Sequence, residues 1–258
     1  MTADLDFAHR LADAADAISM ARFRANDLRI ATKADRTHVT DADQAVERAI
    51  RELIQSERPG DAIFGEEYGV EGESSRQWIV DPIDGTANYL RGVPLWGTLI
   101  ALAVDGEVVA GIASMPAFGG QRWWAEKGAG AFKRSAPGAE PERLHVSQTR
   151  SLDEASFSFQ SIAQWRDAGY LDKLLGLAQD VWRDRAYGDL WSYTLLAEGL
   201  IDAAGEFDVK PYDIAPLLLI VEEAGGRFTS VTGERGPWHG NALASNGTLH
   251  DELLARLA

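Results

Sequence analysis

Apolar residues recur at helical spacing near the beginning of the chain, and this pattern predicts two amphipathic helices. The first helix covers residues 5–23, where apolar side chains return every three or four positions. The second covers residues 39–54. Thr40 is placed to cap the second helix, and Asp43 follows three positions later, which is the spacing of a capping box.

The pattern changes over residues 62–146 to short runs rich in β-branched and aromatic residues, separated by turns that contain glycine. This pattern predicts strands joined by hairpins. After Ser151, strand-like runs alternate with helix-like runs, which favours a partly parallel sheet covered by helices. We therefore expect an α+β subdomain with an antiparallel sheet over residues 1–150 and an α/β subdomain over residues 151–258, with the functional site in the crevice between them.

The composition is that of a globular protein, with 258 residues of which 45% are hydrophobic and 25% are charged. The formal net charge of −15 argues against nucleic acid or an anionic membrane as a partner, because both favour a basic surface. The apolar runs are too short to span a bilayer, and the acidic N-terminus is unlike a signal peptide. The absence of cysteine excludes disulfides and thiolate chemistry, and it predicts a cytoplasmic protein.

The segment "WIVDPIDGT" places two carboxylates, Asp81 and Asp84, directly after a buried strand. Pro82 lacks an N–H group, so we expect the chain to leave the strand there and both carboxylates to converge on one point. Two acids this close repel each other unless a cation lies between them. Gly85 permits a tight turn, and a helical turn that begins at Thr86 would point free N–H groups at a phosphate.

Other acids lie at the ends of predicted elements, and each has a structural as well as a functional interpretation. Glu66 follows the strand "AIFG" and is either a metal ligand or part of a solvated turn. Asp213 begins an apolar helix and is either a ligand or an N-cap. Asp41 and Asp43 lie in the first turn of the second helix, where acids also cap helices without any further role.

Together and in this order, "GEE", "WIVDPIDGTANY" and "YDIAPLLLIVEEAGG" resemble the three signature blocks of the inositol monophosphatase superfamily of Mg²⁺-dependent phosphatases. The likeness covers nearly the whole chain. It implies a layered αβαβα sandwich and, as in that superfamily, a homodimer. Segments such as "TKADRTHVTDADQAVE", "RWWAEKGAGAF" and "ALASNGTLHDELL" are similar to the actinobacterial type of histidinol-phosphate phosphatase within the superfamily.

The resemblance implies a site with about two to three Mg²⁺ ions, most of whose ligands lie in the first subdomain. Glu66, Asp81 and the carbonyl of Ile83 would hold the first ion. Asp81 and Asp84 would hold the second together with Asp213, which is the last ligand and comes from the second subdomain. Glu66 with water molecules would hold a weaker third.

The resemblance also implies the roles of the remaining site residues. The N–H groups of Gly85 and Thr86 would bind the phosphate, and Thr86 with Asp43 would orient the attacking water. Glu66, Thr86 and Asp43 are thus the implied catalytic residues. The residues of the second subdomain that would contact the leaving group are Gly188, Asp189 and Glu206.

The resulting hypothesis is hydrolysis of L-histidinol phosphate to L-histidinol and phosphate by a metal-activated water. Histidinol carries an amine and an imidazole, and Asp189 with Glu206 would supply carboxylates for them. Asp189 is alternatively a helix N-cap. The rival functions are hydrolysis of inositol 1-phosphate or of a sugar (bis)phosphate, and a non-catalytic regulator that binds a metal or a small ligand.

Overall fold

The computed structural model describes residues 2–32 and 38–258. Residues 33–37, which belong to the quoted segment "TKADRTHVTDADQAVE", lie outside this part. No helix in the described part combines the length and the apolar character needed to cross a membrane.

Both helices predicted near the N-terminus are present, and the capping box of the second helix is formed. The Thr40 hydroxyl accepts from Asp43 N, and the Asp43 carboxylate accepts from Thr40 N. The α-helices of the described residues are α1 (Ala3–Arg22), α2 (Asp41–Glu57), α3 (Thr86–Leu90), α4 (Ile162–Asp167), α5 (Leu171–Asp180), α6 (Asp189–Ala197), α7 (Pro211–Glu223) and α8 (His250–Leu257).

The strands of the described residues form three sheets. The strands are β1 (Ile30–Thr32), β2 (His38–Thr40), β3 (Ala62–Gly65), β4 (Gly69–Glu71), β5 (Arg76–Asp84), β6 (Gly97–Val104), β7 (Glu107–Met115), β8 (Gln121–Glu126), β9 (Gly130–Arg134), β10 (Glu142–Arg143), β11 (Ser156–Ser158), β12 (Arg183–Arg185), β13 (Ala203–Phe207), β14 (Arg227–Thr229) and β15 (Asn241–Ser245). A small hairpin pairs β1 with β2. The large sheet has the order β10-β9-β8-β7-β6-β5-β3-β4, and the smaller one has the order β12-β11-β13-β15-β14.

The large sheet is covered on both faces, and the alternation of side chains along its strands separates two cores. Trp78 and Val80 of β5 pack with α1 and α2 on one face. Ile79, which lies between them, packs with α6 and α7 on the other. The opposite side of this second helix layer faces the smaller sheet, whose Ala204 and Ala244 belong to the same core.

A further core lies on the outer face of the smaller sheet, where α4, α5 and α8 pack. The chain is therefore built in five layers, helices–sheet–helices–sheet–helices, and the predicted αβαβα sandwich is confirmed. The smaller sheet is partly parallel, as predicted, because β11 runs parallel to both β12 and β13. The division at residue 150 stays a prediction.

The predicted end of β5 was wrong. The strand continues through Pro82 to Asp84, and its pairing with β6 shifts register between Asp81 and Asp84. A proline that cannot donate to the ladder is accommodated here by a bulge, which bends the strand without ending it. The short elements β1, β2, β4, β10 and α4 were not predicted, because their runs are too short to show a period.

Candidate active site

Three aspartates that are distant in the sequence meet at one point. Asp81 and Asp84 lie at the end of β5, and Asp213 is the third residue of α7. Each offers a carboxylate oxygen, and these oxygens all lie within 4.8 Å of one another. The layered fold produces this meeting, because α7 packs against the large sheet on which β5 lies.

Backbone N–H groups hold each of these carboxylates in place. Asp81 accepts from Ile83 N at 3.0 Å across the bulge. Asp84 accepts from Leu190 N at 2.6 Å, in the first turn of α6. Asp213 accepts from Lys210 N at 2.7 Å. Lys210 is the N-cap of α7 and Asp213 its N3 residue, so the interpretation of Asp213 as the N-cap was wrong. The start of two helices therefore contributes to the orientation of the acid cluster.

The acid cluster is strongly destabilised in its fully ionised form. Burial, followed by the charges of Glu66, Asp84 and Asp213, raises the pKa of Asp81 well above its usual range. Burial and the neighbouring Asp189 raise the pKa of Asp84 in the same way. Burial is also the main reason why the pKa of Asp213 is raised to about 7. Carboxylates in this situation either take up protons or bind a cation.

Glu66 joins the cluster from the neighbouring strand. Strand β3 runs parallel to β5 with Gly65 opposite Val80, and the backbone N of Glu66 donates to Val80 O at 3.1 Å. This register places Glu66 beside Asp81, whose pKa is raised by burial and then by the charge of Glu66. Parallel pairing thus brings together two acids that are fifteen positions apart in the sequence.

The turn after Asp84 requires glycine. Gly85 has a φ of +83°, and a Cβ atom there would lie 3.0 Å from Asp189 Oδ2 and 3.1 Å from Leu95 O. The predicted helical turn follows as α3, which begins at Thr86. The N–H groups of a first helical turn have no carbonyl partner within the helix, so they are available to an anion.

Thr86 and Asp43 meet beside this turn. The Thr86 hydroxyl lies 3.0 Å from Ile83 O and 3.3 Å from Asp43 Oδ1. The second oxygen of Asp43 accepts from Thr40 N at 2.8 Å, so Asp43 caps α2 and also faces the site. Burial raises the pKa of Asp43 to about 6. By contrast, Asp41 pairs with Arg22 at 2.8 Å and is not part of the cluster.

Two cavities lie beside the acid cluster and share some of its residues in their linings. The smaller has about 270 Å³ and is lined by Asp81, Ile83, Gly85 and Thr86 among others. The larger has about 570 Å³ and extends between α6, α7 and the end of β13. Their shared lining residues are Glu66, Asp84, Asp189 and Asp213.

Asp189 and Glu206 line the larger cavity. Asp189 is the first residue of α6, directly after Gly188 at its N-cap, and has a φ of +46°. Burial raises its pKa to about 6. Glu206 is buried in β13 and accepts from the Tyr193 hydroxyl at 2.6 Å, and burial raises its pKa to about 8.

The sequence analysis missed several residues of the larger cavity. Gln160 accepts from Asp189 N at 2.8 Å and has a φ of +59°. The Oε1 atom of Gln164 is buried and has no hydrogen-bond partner among the described residues. Asp208 and Lys210 form an exposed ion pair at 3.3 Å. Their position in the sequence is the signal that could have identified two of these residues. Gln160 and Asp208 each lie within two residues after the end of a strand of the smaller sheet.

The comparisons with known proteins agree with this geometry. A family model described as "Inositol monophosphatase family" matches residues 2–258. The chain belongs to the inositol monophosphatase family. Its members depend on a divalent metal, typically Mg²⁺, and the buried acid cluster provides the oxygen ligands that this ion prefers.

Within the family, the chain is similar to two proteins named histidinol-phosphatase. One, from Streptomyces coelicolor, is 52% identical over 98% of this chain and 96% of the relative. The other, from Mycobacterium tuberculosis, is 52% identical over 98% of this chain and 97% of the relative. Among solved structures, the extragenic suppressor protein suhB from Bartonella henselae superposes with a TM-score of 0.89. It is 27% identical and is matched over 99% of this chain and 98% of that chain.

Proposed function

We propose that this protein is a metal-dependent phosphomonoesterase that hydrolyses L-histidinol phosphate to L-histidinol and phosphate. The observation that carries the proposal is the meeting of Asp81, Asp84 and Asp213, whose carboxylate oxygens lie within 4.8 Å of one another in the lining of the smaller cavity. The substrate is supported by the 52% identity to two proteins named histidinol-phosphatase.

The residues present suit Mg²⁺. Their raised pKa values mean that the ionised cluster needs a cation, and the carboxylates are oxygen donors. Bound Mg²⁺ supplies charge neutralisation on the phosphate and lowers the pKa of water. We propose about two to three ions per site. Their ligands would be the side chains of Glu66, Asp81, Asp84 and Asp213 and the carbonyl of Ile83.

The turn from Gly85 into α3 would hold the phosphate through its N–H groups. Thr86 and Asp43 would orient the attacking water, because Thr86 lines the smaller cavity and its hydroxyl lies 3.3 Å from Asp43 Oδ1. The carboxylate of Asp43 is held by Thr40, so it presents one oxygen to Thr86 without freedom to rotate away.

The larger cavity would hold the leaving group. Six acids and one base, Lys210, are present among the described residues that line it. Lys210 is exposed and already paired with Asp208. Histidinol carries groups that become cationic, so an acidic chamber favours it over a neutral polyol or a second phosphate. We propose that Asp189 and Glu206 contact these groups, with Gly188 beside them.

A panel of phosphate esters tests the proposal. Phosphate release from L-histidinol phosphate, inositol 1-phosphate, fructose 1,6-bisphosphate and p-nitrophenyl phosphate is measured side by side with Mg²⁺ present. We expect kcat/KM to be highest for L-histidinol phosphate, and Asp84→Asn to abolish release from all of them. A preference for inositol 1-phosphate or the bisphosphate would replace the proposed substrate. No release from any ester would instead support a non-catalytic regulator.

We also propose that the protein is a homodimer, on the basis of its family resemblance, and that it is cytoplasmic, as its cysteine-free composition suggests. Light scattering coupled to size-exclusion chromatography tests the first statement, because a dimer has twice the 28.1 kDa mass of one chain. Fractionation of cells that express the protein tests the second.

A further inference from the structure

Helix α2 carries a buried stripe of charged residues beside its apolar face. Asp43, Glu47 and Arg51 are spaced four apart and therefore lie on the same side of the helix. They are 0%, 0% and 7% exposed. Charged side chains are almost never buried unless they are paired, so the burial of these three residues requires an explanation. Asp43 contacts Thr86 of the candidate active site, whereas Glu47 and Arg51 lie one and two turns further along α2.

Glu47 and Arg51 hold the backbone of the turn that follows Glu66. The carboxylate of Glu47 accepts from Glu67 N at 2.6 Å and from Tyr68 N at 3.2 Å. Arg51 donates to Glu47 Oε1 at 2.8 Å and to the carbonyl of Gly69 at 2.5 Å. One buried ion pair thus contacts the backbone of three consecutive residues directly after Glu66.

Gly65, which precedes Glu66, leaves the space that Glu47 needs. A Cβ atom at Gly65 would lie 1.9 Å from Glu47 Oε1, which is impossible without displacing the carboxylate. The absence of a side chain at this position therefore permits the contact between α2 and the turn. The backbone on both sides of Glu66 is adapted to the same carboxylate.

We propose that Glu47 is a positioning residue for the metal site, one that fixes the turn so that the side chain of Glu66 reaches Asp81. This inference rests on the proposed role of Glu66 as a metal ligand. Outer residues that orient metal ligands contribute strongly to metal affinity, because a ligand that must first be ordered binds more weakly. The same helix face carries Asp43, so α2 aligns the turn after β3 with the residues that face the attacking water.

Glu47→Gln tests the inference. Glutamine retains the size and shape of the Glu47 side chain, but only one of its two terminal atoms accepts hydrogen bonds. Glu67 N, Tyr68 N or Arg51 would therefore face an NH₂ group in place of an oxygen. Binding of Mn²⁺ in the absence of substrate is measured by electron paramagnetic resonance. We expect the dissociation constant to rise roughly 10–100-fold. We also expect kcat for L-histidinol phosphate to recover at high Mg²⁺ concentration. Glu52→Gln, the same change at an exposed position of α2, should leave Mn²⁺ binding unchanged.

Gly65→Ala provides a second variant if Glu47→Gln does not fold, because it displaces the same carboxylate from the other side. Mn²⁺ affinity within about twofold of the unmodified protein in a folded variant, together with a lower melting temperature, would overturn the inference and leave Glu47 a purely structural residue. If the unmodified protein bound no Mn²⁺, the proposed metal site itself would fail, and the inference with it. If the protein bound Mn²⁺ but did not hydrolyse L-histidinol phosphate, only the proposed substrate would be wrong, and the positioning role of Glu47 would stand.

Discussion

The side-chain amide of Asn88 donates a hydrogen bond of 2.9 Å to the carboxylate of Asp189, which lies 101 positions later in the chain. The same amide donates to Leu95 O at 2.8 Å. Asn88 belongs to α3, whose first turn is the proposed phosphate site, and Asp189 begins α6. The amide therefore connects the part of the site that would hold phosphate to the part that would hold the leaving group.

Asn88→Ala should weaken catalysis through Asp189. A hydrogen bond to a charged group contributes about 1.5–3 kcal/mol. We therefore expect kcat/KM for L-histidinol phosphate to fall roughly 10–100-fold, mainly through KM. Steady-state kinetics at saturating Mg²⁺ provides the measurement. Asn26→Ala, at an exposed position, serves as the control. Unchanged KM in the Asn88 variant would contradict the connection.

Asp189→Asn should change specificity and preserve the fold. Asparagine tolerates the φ of +46° that Asp189 adopts, and it retains the size of the side chain. We expect kcat/KM to fall by about one to two orders of magnitude for L-histidinol phosphate, because a charged partner of the leaving group is lost. Hydrolysis of p-nitrophenyl phosphate should change little. Equal losses on both esters would show that Asp189 acts only as a structural residue of α6.

Asp213→Asn should stabilise the metal-free protein at pH 8. The pKa of Asp213 is raised to about 7 from 3.8, so its ionised form favours unfolding, and stability is lost as pH rises through this interval. Asparagine can still accept from Lys210 N. We expect the melting temperature without metal to rise by roughly 5 °C. Stabilisation by added Mg²⁺, which in the unmodified protein is about 2.7 kcal/mol at 100 times the dissociation constant, should be reduced.

Differential scanning calorimetry with chelator and with Mg²⁺ provides the measurement for this variant. Asp167→Asn, at an exposed position, should show neither effect. If Asp213→Asn instead had a lower melting temperature than the unmodified protein in chelator at pH 8, the ionised acid cluster would not destabilise the metal-free protein.

His250 should make the stability depend on pH. It is buried between the hydroxyls of Thr229 and Ser245, at 2.8 and 2.9 Å, and burial lowers its pKa to about 4 from 6.5. The unfolded chain therefore binds a proton at higher pH than the folded one. The contribution of His250 to the free energy of unfolding is therefore complete above pH 6.5. It falls by up to about 3 kcal/mol as the pH falls towards 4.

Urea unfolding of the unmodified protein and of His250→Gln at pH 7 and pH 5 isolates this effect. We expect the difference in unfolding free energy between the two proteins to shrink at pH 5, because glutamine does not titrate. His145→Gln changes an exposed position and serves as the control. Its difference in unfolding free energy from the unmodified protein should be the same at pH 7 and at pH 5. A difference that stays constant for His250→Gln as well would assign the pH dependence to other groups.

The sequence predicts best those elements whose ends carry a clear local signal. The strands and hairpins predicted over residues 62–146 are present, and the strand predicted from "AIFG" has the bounds of β3, since glycine turns mark the ends of such runs. The bulge in β5 was missed because the effect of Pro82 depends on whether β6 continues beside it, which is a tertiary contact. The stripe of Asp43, Glu47 and Arg51 was also missed. Charged residues in an amphipathic helix normally face water. Here tertiary packing buries them, because the turn after Glu66 contacts Glu47 and Arg51 and Thr86 contacts Asp43.

The sequence by itself determined the helices near the N-terminus, the hairpins and the partly parallel sheet, because these depend on hydrophobic periodicity. Its motifs, whose members are close in the chain, carry the family resemblance that implied the αβαβα layers and the residues of the acid cluster. Only the tertiary structure decided which distant groups share one space. Parallel pairing set Glu66 beside Asp81, and packing of α7 on the large sheet brought in Asp213. Gln160 and Glu47 acquire their partners in the same way. The packing of whole helices and strands determines which distant residues come into contact, and a local sequence pattern does not contain that information.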